Sequence, residues 1–479
     1  MNARFFKILG STFASRLLMA AANYGLFWLL SHQLSIDTLG GYSLLMNIFL
    51  MVQLLPLLGL AIPLQRRAST HPQELPQEVS NALAFAAPVS LLLMCGIGLA
   101  GWGYAPALHL PFWLVGASVL PSAWVLVAEC TLMGRERMNV IARVQLGEAA
   151  LRLVGVLYVV HLGHGLVGAF SVFLAMRVLT ALAYARVSDV PRPRWSLLNR
   201  TLQRRNLAEL PVFLGIAVLA ALAARADVIL LSRLGSLSDV GIYASASRLY
   251  DAALMLPTVA AIMVMPLLAR QFQSDRQAFG HTLQLTLRFA LGVGLVLALS
   301  VAALATPIIH LLYRPELAAA APALRWLILG AVLMTLDQLL SSTMLAAEAQ
   351  RQDLLTLIVA VASLLLGFVV LVPLYGASGA AAAVPLALLA RVVWRLRWAV
   401  PELALTQLPA HLARLAAAGL LGGAGLMLGL QWHALVAWAL ALLAYAAGLR
   451  LAGVIDNHPL RQWHSWRARL ASTANDAAN

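Results

Sequence analysis

The stretch "ALAARADVILLSR", residues 221–233, sets Arg225 and Asp227 inside a run that is otherwise apolar. Other ionisable side chains interrupt apolar runs in the same way: Arg16, Glu148, Arg152, Arg177, Arg248, Asp251 and Asp337. A charge in hydrocarbon costs about 2.5–3.5 kcal/mol even on lenient scales, so such residues face a partner or a wet cavity. Arginine in that setting points to anion chemistry. Its planar fork stays charged and matches phosphate oxygens two at a time. Lone carboxylates would instead suit cations or protons. Arg16, Arg152, Arg177, Arg225 and Arg248 are therefore assigned as cavity cations that bind substrate. Asp227, Asp251, Asp337 and Glu148 are coupling or structural acids.

Spacing sharpens some of these roles. Glu148 precedes Arg152 by one helical turn, a favourable order for an intrahelical pair. Arg225 and Asp227 are two apart and point to nearly opposite helix sides, whereas Arg248 and Asp251 share a face. Asp227 and Arg248 lie at matched depth on consecutive spans, roughly 10 Å inside the outer boundary. An ion pair between them would turn Arg225 toward the cavity. Asp337 stands alone in its span, either as a proton or sodium ligand or hydrogen-bonded to Ser341 one turn on. Arg143, Arg270 and Arg391 fall near span ends, where they can snorkel. His161 and His164 lie in one tight turn without a third ligand, too few for a metal site.

The elements that must position these groups are membrane helices. The chain has 479 residues, of which 61% are hydrophobic and 11% charged. A soluble domain carries about 25% charged residues. Apolar runs of helix-spanning length recur end to end. They fall near 8–31, 41–64, 80–102, 111–133, 141–160, 165–186, 210–233, 241–268, 284–305, 319–346, 354–373, 377–399, 409–429 and 433–452. That is about fourteen transmembrane helices. Backbone groups in lipid must be bonded within the segment, and no strand-type alternation is present. The net charge of +14 is nearly all arginine, with one lysine, Lys7. No basic, aromatic soluble module is present to hold nucleic acid. Cys95 and Cys130 both lie in apolar runs and support neither a disulfide framework nor a metal site.

Positive charges collect in alternate loops: Arg66 and Arg67, Arg135 and Arg137, the linker, Arg270 and Arg276, Arg351 and the tail. The positive-inside rule then puts both termini in the cytoplasm. The tail "RQWHSWRARL", residues 461–470, reads as an amphipathic stretch on the inner leaflet.

The linker "RVSDVPRPRWSLLNRTLQRRN", residues 186–206, divides the chain after six spans. Across it, "SIDTLGGYSLLMNIFLMVQLLP" (35–56) aligns without gaps to "SLSDVGIYASASRLYDAALMLP" (236–257), an offset of 201 residues. Ser35, Gly40, Tyr42, Leu55 and Pro56 match Ser236, Gly241, Tyr243, Leu256 and Pro257. "GLVGA" (165–169) resembles "GASGA" (376–380). An even number of spans per repeat gives parallel bundles with a site near the midplane. The expected organisation is a six-helix bundle over 1–187, a cytosolic linker over 188–207, a second bundle over 208–400, two further helices over 401–455 and a cytosolic tail over 456–479. Pro56, Pro257 and Pro266 would kink spans two and eight.

With two six-helix halves, the basic linker, two extra helices and "ADVILLSRLGSLSDVGIYASASRLYDAALMLPTVAAIMVMPLLAR" (226–270), the chain resembles a known family. It is similar to the Wzx-type O-antigen and oligosaccharide flippases, the polysaccharide branch of the multidrug/oligosaccharidyl-lipid/polysaccharide exporter superfamily. The likeness is sharpest at Asp227, Gly241, Tyr243, Arg248, Pro257 and Pro266. The resemblance implies a V-shaped, all-α exporter in the bacterial inner membrane. It implies the flipping of a polyprenyl-pyrophosphate-linked oligosaccharide from the cytoplasmic to the periplasmic leaflet through a central cationic cavity, for lipopolysaccharide and other surface polysaccharides. No enzymatic step and no cofactor are implied. Coupling to sodium, protons or membrane potential stays open, as does contact with other polysaccharide-assembly proteins. The alternatives are a proton- or sodium-coupled multidrug exporter of the same superfamily and a non-transporting subunit of a secretion complex.

Overall fold

The computed structural model describes residues 3–57, 60–71, 73–199, 201, 203, 225–254, 268, 270–272, 274–346, 349–402 and 408–452. Side chains are described from residue 18 onward, apart from those of residues 62, 195, 345, 346, 350, 351 and 402. Every regular element among the described residues is helical. Nine stretches of them are long and apolar enough to cross a membrane. The chain divides into two compact units, one built from residues 1–248, 312–317 and 368–380, the other from 249–311, 318–367 and 381–479.

The first unit opens with α1 (Ala3–Gln33) and α2 (Ile36–Val52), followed by α3 (Ala61–Thr70), α4 (Leu75–Ala100), α5 (Pro106–Gly134), α6 (Met138–His161) and α7 (Gly165–Ala185). The span expected over 41–64 is shorter than read. The helix ends at Val52, buried Pro56 sits in a 3₁₀ turn over Leu55–Leu57, and α3 is a separate helix. Proline has no amide proton to continue a helical ladder, which accounts for the break. Pro257 and Pro266, the tail and most of the linker's second half lie outside the described residues. α5 is the core helix here. Its buried Phe112, Val115, Val119, Ala123 and Val127 recur every three or four residues along one face, the spacing of a helix with one side in a core. It packs on α2, α3, α4 and α7. Residues 225–234 form α8. α9 (Leu237–Ala253) starts on a reciprocal cap: Ser236 Oγ accepts the Asp239 amide at 3.1 Å, and Asp239 Oδ2 accepts the Ser236 amide at 3.0 Å. Each side chain satisfies an amide that the first turn leaves without a partner.

The repeat read from sequence is visible in the backbone. Gly40 on α2 and Gly241 on α9 occupy matched positions and touch reciprocally. A Cβ on Gly40 would lie 1.8 Å from the Leu237 carbonyl oxygen, and one on Gly241 would lie 2.5 Å from that of Ile36. Exchange of equivalent contacts is what a local two-fold axis imposes. The second repeat signal is conformational. Gly165 has φ 52° and Gly376 has φ 51°. Such left-handed values favour glycine at both tight turns. Two distant segments belong to this unit because they cap its helices. Arg314 Nε donates to the Ser31 carbonyl at 2.9 Å, at the end of α1. Asp239 Oδ1 accepts the Ala377 amide at 3.0 Å.

The second unit contains α10 (Arg276–Ala303), α11 (Ala305–Leu312, whose last residue belongs to the first unit), α12 (Ala320–Ala346), α13 (Gln350–Glu402, of which 368–380 belong to the first unit), α14 (Leu408–Gly429) and α15 (Ala434–Leu451). α13 is two arms joined at Gly376, whose φ 51° and ψ −129° are not helical; this is the boundary expected between the 354–373 and 377–399 spans. Buried Leu283, Leu287, Leu291 and Leu295 line one face of α10 against α12, α14 and α15.

The reciprocal glycine contact makes a stability prediction. Gly40→Ala forces backbone apart and should cost about 1–3 kcal/mol. Gly147→Ala, with nothing within 4 Å of the added carbon, should be neutral or slightly stabilising. Thermal unfolding of the purified variants checks this; equal melting temperatures would contradict the contact.

Candidate functional site

Four of the five expected cavity cations meet in the first unit. Arg152 on α6, Arg177 on α7, Arg225 on α8 and Arg248 on α9 all line one cavity of about 370 Å³, together with Glu148. Arg16 lies on α1, but its side chain is outside the described residues.

The arginines are held in two ways. Arg152 and Arg177 share Glu148, at 3.9 Å and 3.5 Å. Charge-assisted hydrogen bonds run to about 2.7–2.9 Å, so both contacts are loose. Arg152 Nη2 also donates to Asn23 Oδ1 at 2.5 Å. The Arg177 guanidinium lies 5.0 Å from the Phe49 ring centre and 5.6 Å from that of Phe173. Arg225 Nη1 reaches Asn47 Oδ1 at 3.4 Å, and Arg248 stands 5.1 Å over Phe27. Among the described residues neither Arg225 nor Arg248 has an ion-pair partner. Aromatic faces stabilise a cation by about 0.5–2 kcal/mol without cancelling its charge. Among the described residues the cavity thus keeps four guanidinium groups facing one carboxylate. Arg152 Nε and Arg177 Nε are both buried with no acceptor among the described residues. A buried donor left unmade costs about 1–3 kcal/mol.

Asp227 is placed differently from expectation. Its Oδ2 accepts the Tyr243 hydroxyl at 2.7 Å and its Oδ1 accepts the Val228 amide at 2.8 Å; it forms no ion pair with Arg248. Matched depth fixes height along the helix and not azimuth. Tyr243 and Arg248 are five residues apart, about 140° around α9 at roughly 100° per residue. The tyrosine meets Asp227 and the arginine meets the cavity. Asp251 lies further along α9 and is exposed.

Asp337 has its partners on another helix, α13. In the second unit it is 2% exposed and pairs with Arg391 at 3.0 Å and Arg395 at 2.7 Å. Fully buried Arg395 also pairs with Asp353 at 2.5 Å and bonds Thr356 Oγ1 at 3.2 Å and the Asp337 carbonyl. Arg391 therefore does not snorkel, and Ser341 faces Asp353 rather than Asp337. Two acids and two arginines pair at short range here and tie α12 to both arms of α13, with Arg391 Nε buried and without an acceptor among the described residues.

The cavity also contains groups that sequence reading passed over. Asn23, Asn47 and Gln145 are amides inside apolar helices and Gln53 caps the end of α2, and the rule that flags buried charges flags them too. Glu129 on α5 accepts Gln145 Nε2 at 2.8 Å and the Tyr184 hydroxyl at 3.0 Å, just behind the cavity wall.

The charge network predicts a stability effect. Asp337→Asn leaves buried Arg395 and partly buried Arg391 short of a counter-charge, and breaking such a pair costs about 3–5 kcal/mol. Melting temperature and yield in detergent should fall sharply, and Arg391→Met on that background should recover part of the loss. An unchanged melting temperature for Asp337→Asn would contradict the network.

The MatE family model matches residues 213–372. No curated protein matches the chain by sequence. Among solved structures, a lipid II flippase MurJ in an inward closed conformation aligns with a TM-score of 0.70 at 14% identity, covering 93% of this chain and 98% of that one. An inward-facing multidrug resistance MATE transporter of the MOP superfamily gives 0.67 at 15% identity, over 81% of this chain and 96% of that one. A MOP superfamily transporter from Pyrococcus furiosus, whose structure carries the description "reverse polarity of binding pocket", gives 0.56 at 14% identity, over 84% of this chain and 94% of that one. The chain is an all-helical integral membrane protein that shares its fold with the MurJ and MATE transporters.

Proposed function

We propose that this chain is a transporter, not an enzyme, that moves a lipid-linked oligosaccharide from the cytoplasmic to the periplasmic leaflet of a bacterial inner membrane. The carrier is a polyprenyl pyrophosphate, and the destination is cell-surface polysaccharide such as O-antigen. Transport runs by alternating access, and no bond is made or broken. The observation that carries this reading is the cavity: among the described residues, four arginines against one carboxylate, backed by aromatic rings, with two buried guanidinium nitrogens lacking an acceptor. A diphosphate offers oxygens to all of them. A cavity of about 370 Å³ is at the small end of ligand pockets, roughly 300–1,000 Å³. It has room for a diphosphate and the adjoining sugar while the lipid tail stays in the bilayer.

The second reading, a cation-coupled multidrug exporter, draws on the MatE match and the MATE fold. The cavity charge weighs against it, since arginines repel cationic drugs. We assign Arg16 to the substrate path with the other four on sequence grounds alone.

Arg177→Ala, Arg225→Ala and Arg248→Ala should each reduce glycan export in cells while the protein still reaches the membrane. Each lost charged hydrogen-bonding group is worth about 1.5–3 kcal/mol, or roughly ten- to a hundredfold in affinity. Wild-type glycan display from all three, or efflux of cationic dyes that depends on the protein, would favour the drug exporter. The proposed topology has both termini and the 188–207 linker in the cytoplasm, between bundles over 1–187 and 208–400, with two helices over 401–455. Cysteines placed at Ser196 and His433 should label from opposite sides of the membrane. Labelling of both from outside would contradict it.

A further inference from the structure

We propose that Glu148 is a built-in counter-ion that competes with the transported anion and so permits its release. The inference rests on the anion-transport reading and assigns one residue the control of affinity within that cavity. Glu148 is the one carboxylate among the described residues lining the cavity. It belongs to α6 and faces α7: Oε2 accepts the Thr180 hydroxyl at 3.0 Å and lies 3.5 Å from Arg177 Nη1, while Oε1 lies 3.9 Å from Arg152 Nη1. Its side chain is 8% exposed.

Two features set this apart from an ordinary structural salt bridge. First, the contacts are too long to use up the arginines' donors. Nε of Arg152 and of Arg177 is buried without an acceptor among the described residues, as is Nε of Arg391 in the second unit, so it is the length of the contacts to Glu148 that marks this pair. The carboxylate offsets charge but leaves hydrogen-bonding capacity for something else. Elsewhere in the chain, Arg395 sits at 2.5 Å and 2.7 Å from its two acids, which is what a pair built only for stability looks like. Second, Glu148 is pinned by Thr180 and cannot swing far from the arginines. An anion that takes the free donors of Arg152 and Arg177 comes within a few ångströms of it, roughly hydrogen-bonding distance plus one atom. Like charges forced together repel strongly enough to discriminate between bound states.

The physical need is release. A diphosphate held by four guanidinium groups in a low-dielectric cavity would bind tightly in every state of the cycle, and uniform tight binding slows a cycle rather than driving it. A transport site has to bind well enough to load and weakly enough to let go. Glu148 supplies the second half by reclaiming Arg152 and Arg177 as the anion departs.

The test uses the full chain in detergent with farnesyl diphosphate as probe, read by calorimetric titration, and glycan export in cells. Glu148→Gln removes the competing charge and keeps the shape. It should bind the probe at least about tenfold more tightly than wild type, while export falls. Thermal stabilisation by the probe should be larger than in wild type. Glu148→Asp, which draws the carboxylate back by one methylene, should fall between the two, and decides the matter should the glutamine variant not fold. Wild-type binding with no tightening in the variant that folds would overturn the role of Glu148. So would tighter binding with undiminished export. Absence of probe binding to wild type would instead overturn the anion-transport reading on which the inference stands.

Discussion

A guanidinium group inside a membrane must be compensated, and how it is compensated decides what it can do. The chain solves this twice. In the second unit Arg391 and Arg395 are matched by Asp337 and Asp353 at short range, and the charges serve to hold α12 against α13. In the first unit the arginines lean on Phe27, Phe49 and Phe173 and on the amides of Asn23 and Asn47. Rings and amides stabilise a cation while leaving its field in place. The first arrangement is matched in charge and structural. The second stays electropositive and open to an anion.

The backbone gives the second arrangement its space. Gly40 and Gly241 let α2 and α9 approach until backbone meets backbone. Asn47 on α2 and Arg248 on α9 occupy equivalent positions of the repeat, offset by 201 residues. One supplies an amide to Arg225 and the other a guanidinium to the cavity wall. The repeat has thus kept its helix contact and diverged in its chemistry. The opposite assignment of Tyr42 and Tyr243 follows the same pattern: Tyr42 lines the cavity, whereas Tyr243 is committed to Asp227.

Much of this was legible in the sequence, for a physical reason. Charges in hydrocarbon are costly enough to stand out singly, so Arg152, Arg177, Arg225 and Arg248 could be found without a partner in view. Helix ends followed from apolar length and from glycine and proline, as at Gly376. Pairing was much less legible. Asp337 finds Arg391 and Arg395 more than fifty residues away, across a turn, and no local spacing encodes that. Depth alone matches Asp227 to Arg248, and depth ignores rotation about the helix axis. The aromatic backing of the arginines was hidden because phenylalanine in an apolar helix carries no signal until its neighbour is known.

The central claim is that the four arginines of the first unit bind the diphosphate of a lipid-linked substrate. The most direct measurement is an experimental structure of the full chain with a polyprenyl diphosphate bound, at a resolution that locates the phosphorus atoms. Both phosphates should lie in the cavity, within hydrogen-bonding distance of Arg177 and of Arg225 or Arg248. Phosphates bound elsewhere, with these guanidinium groups unchanged at saturating ligand, would contradict it.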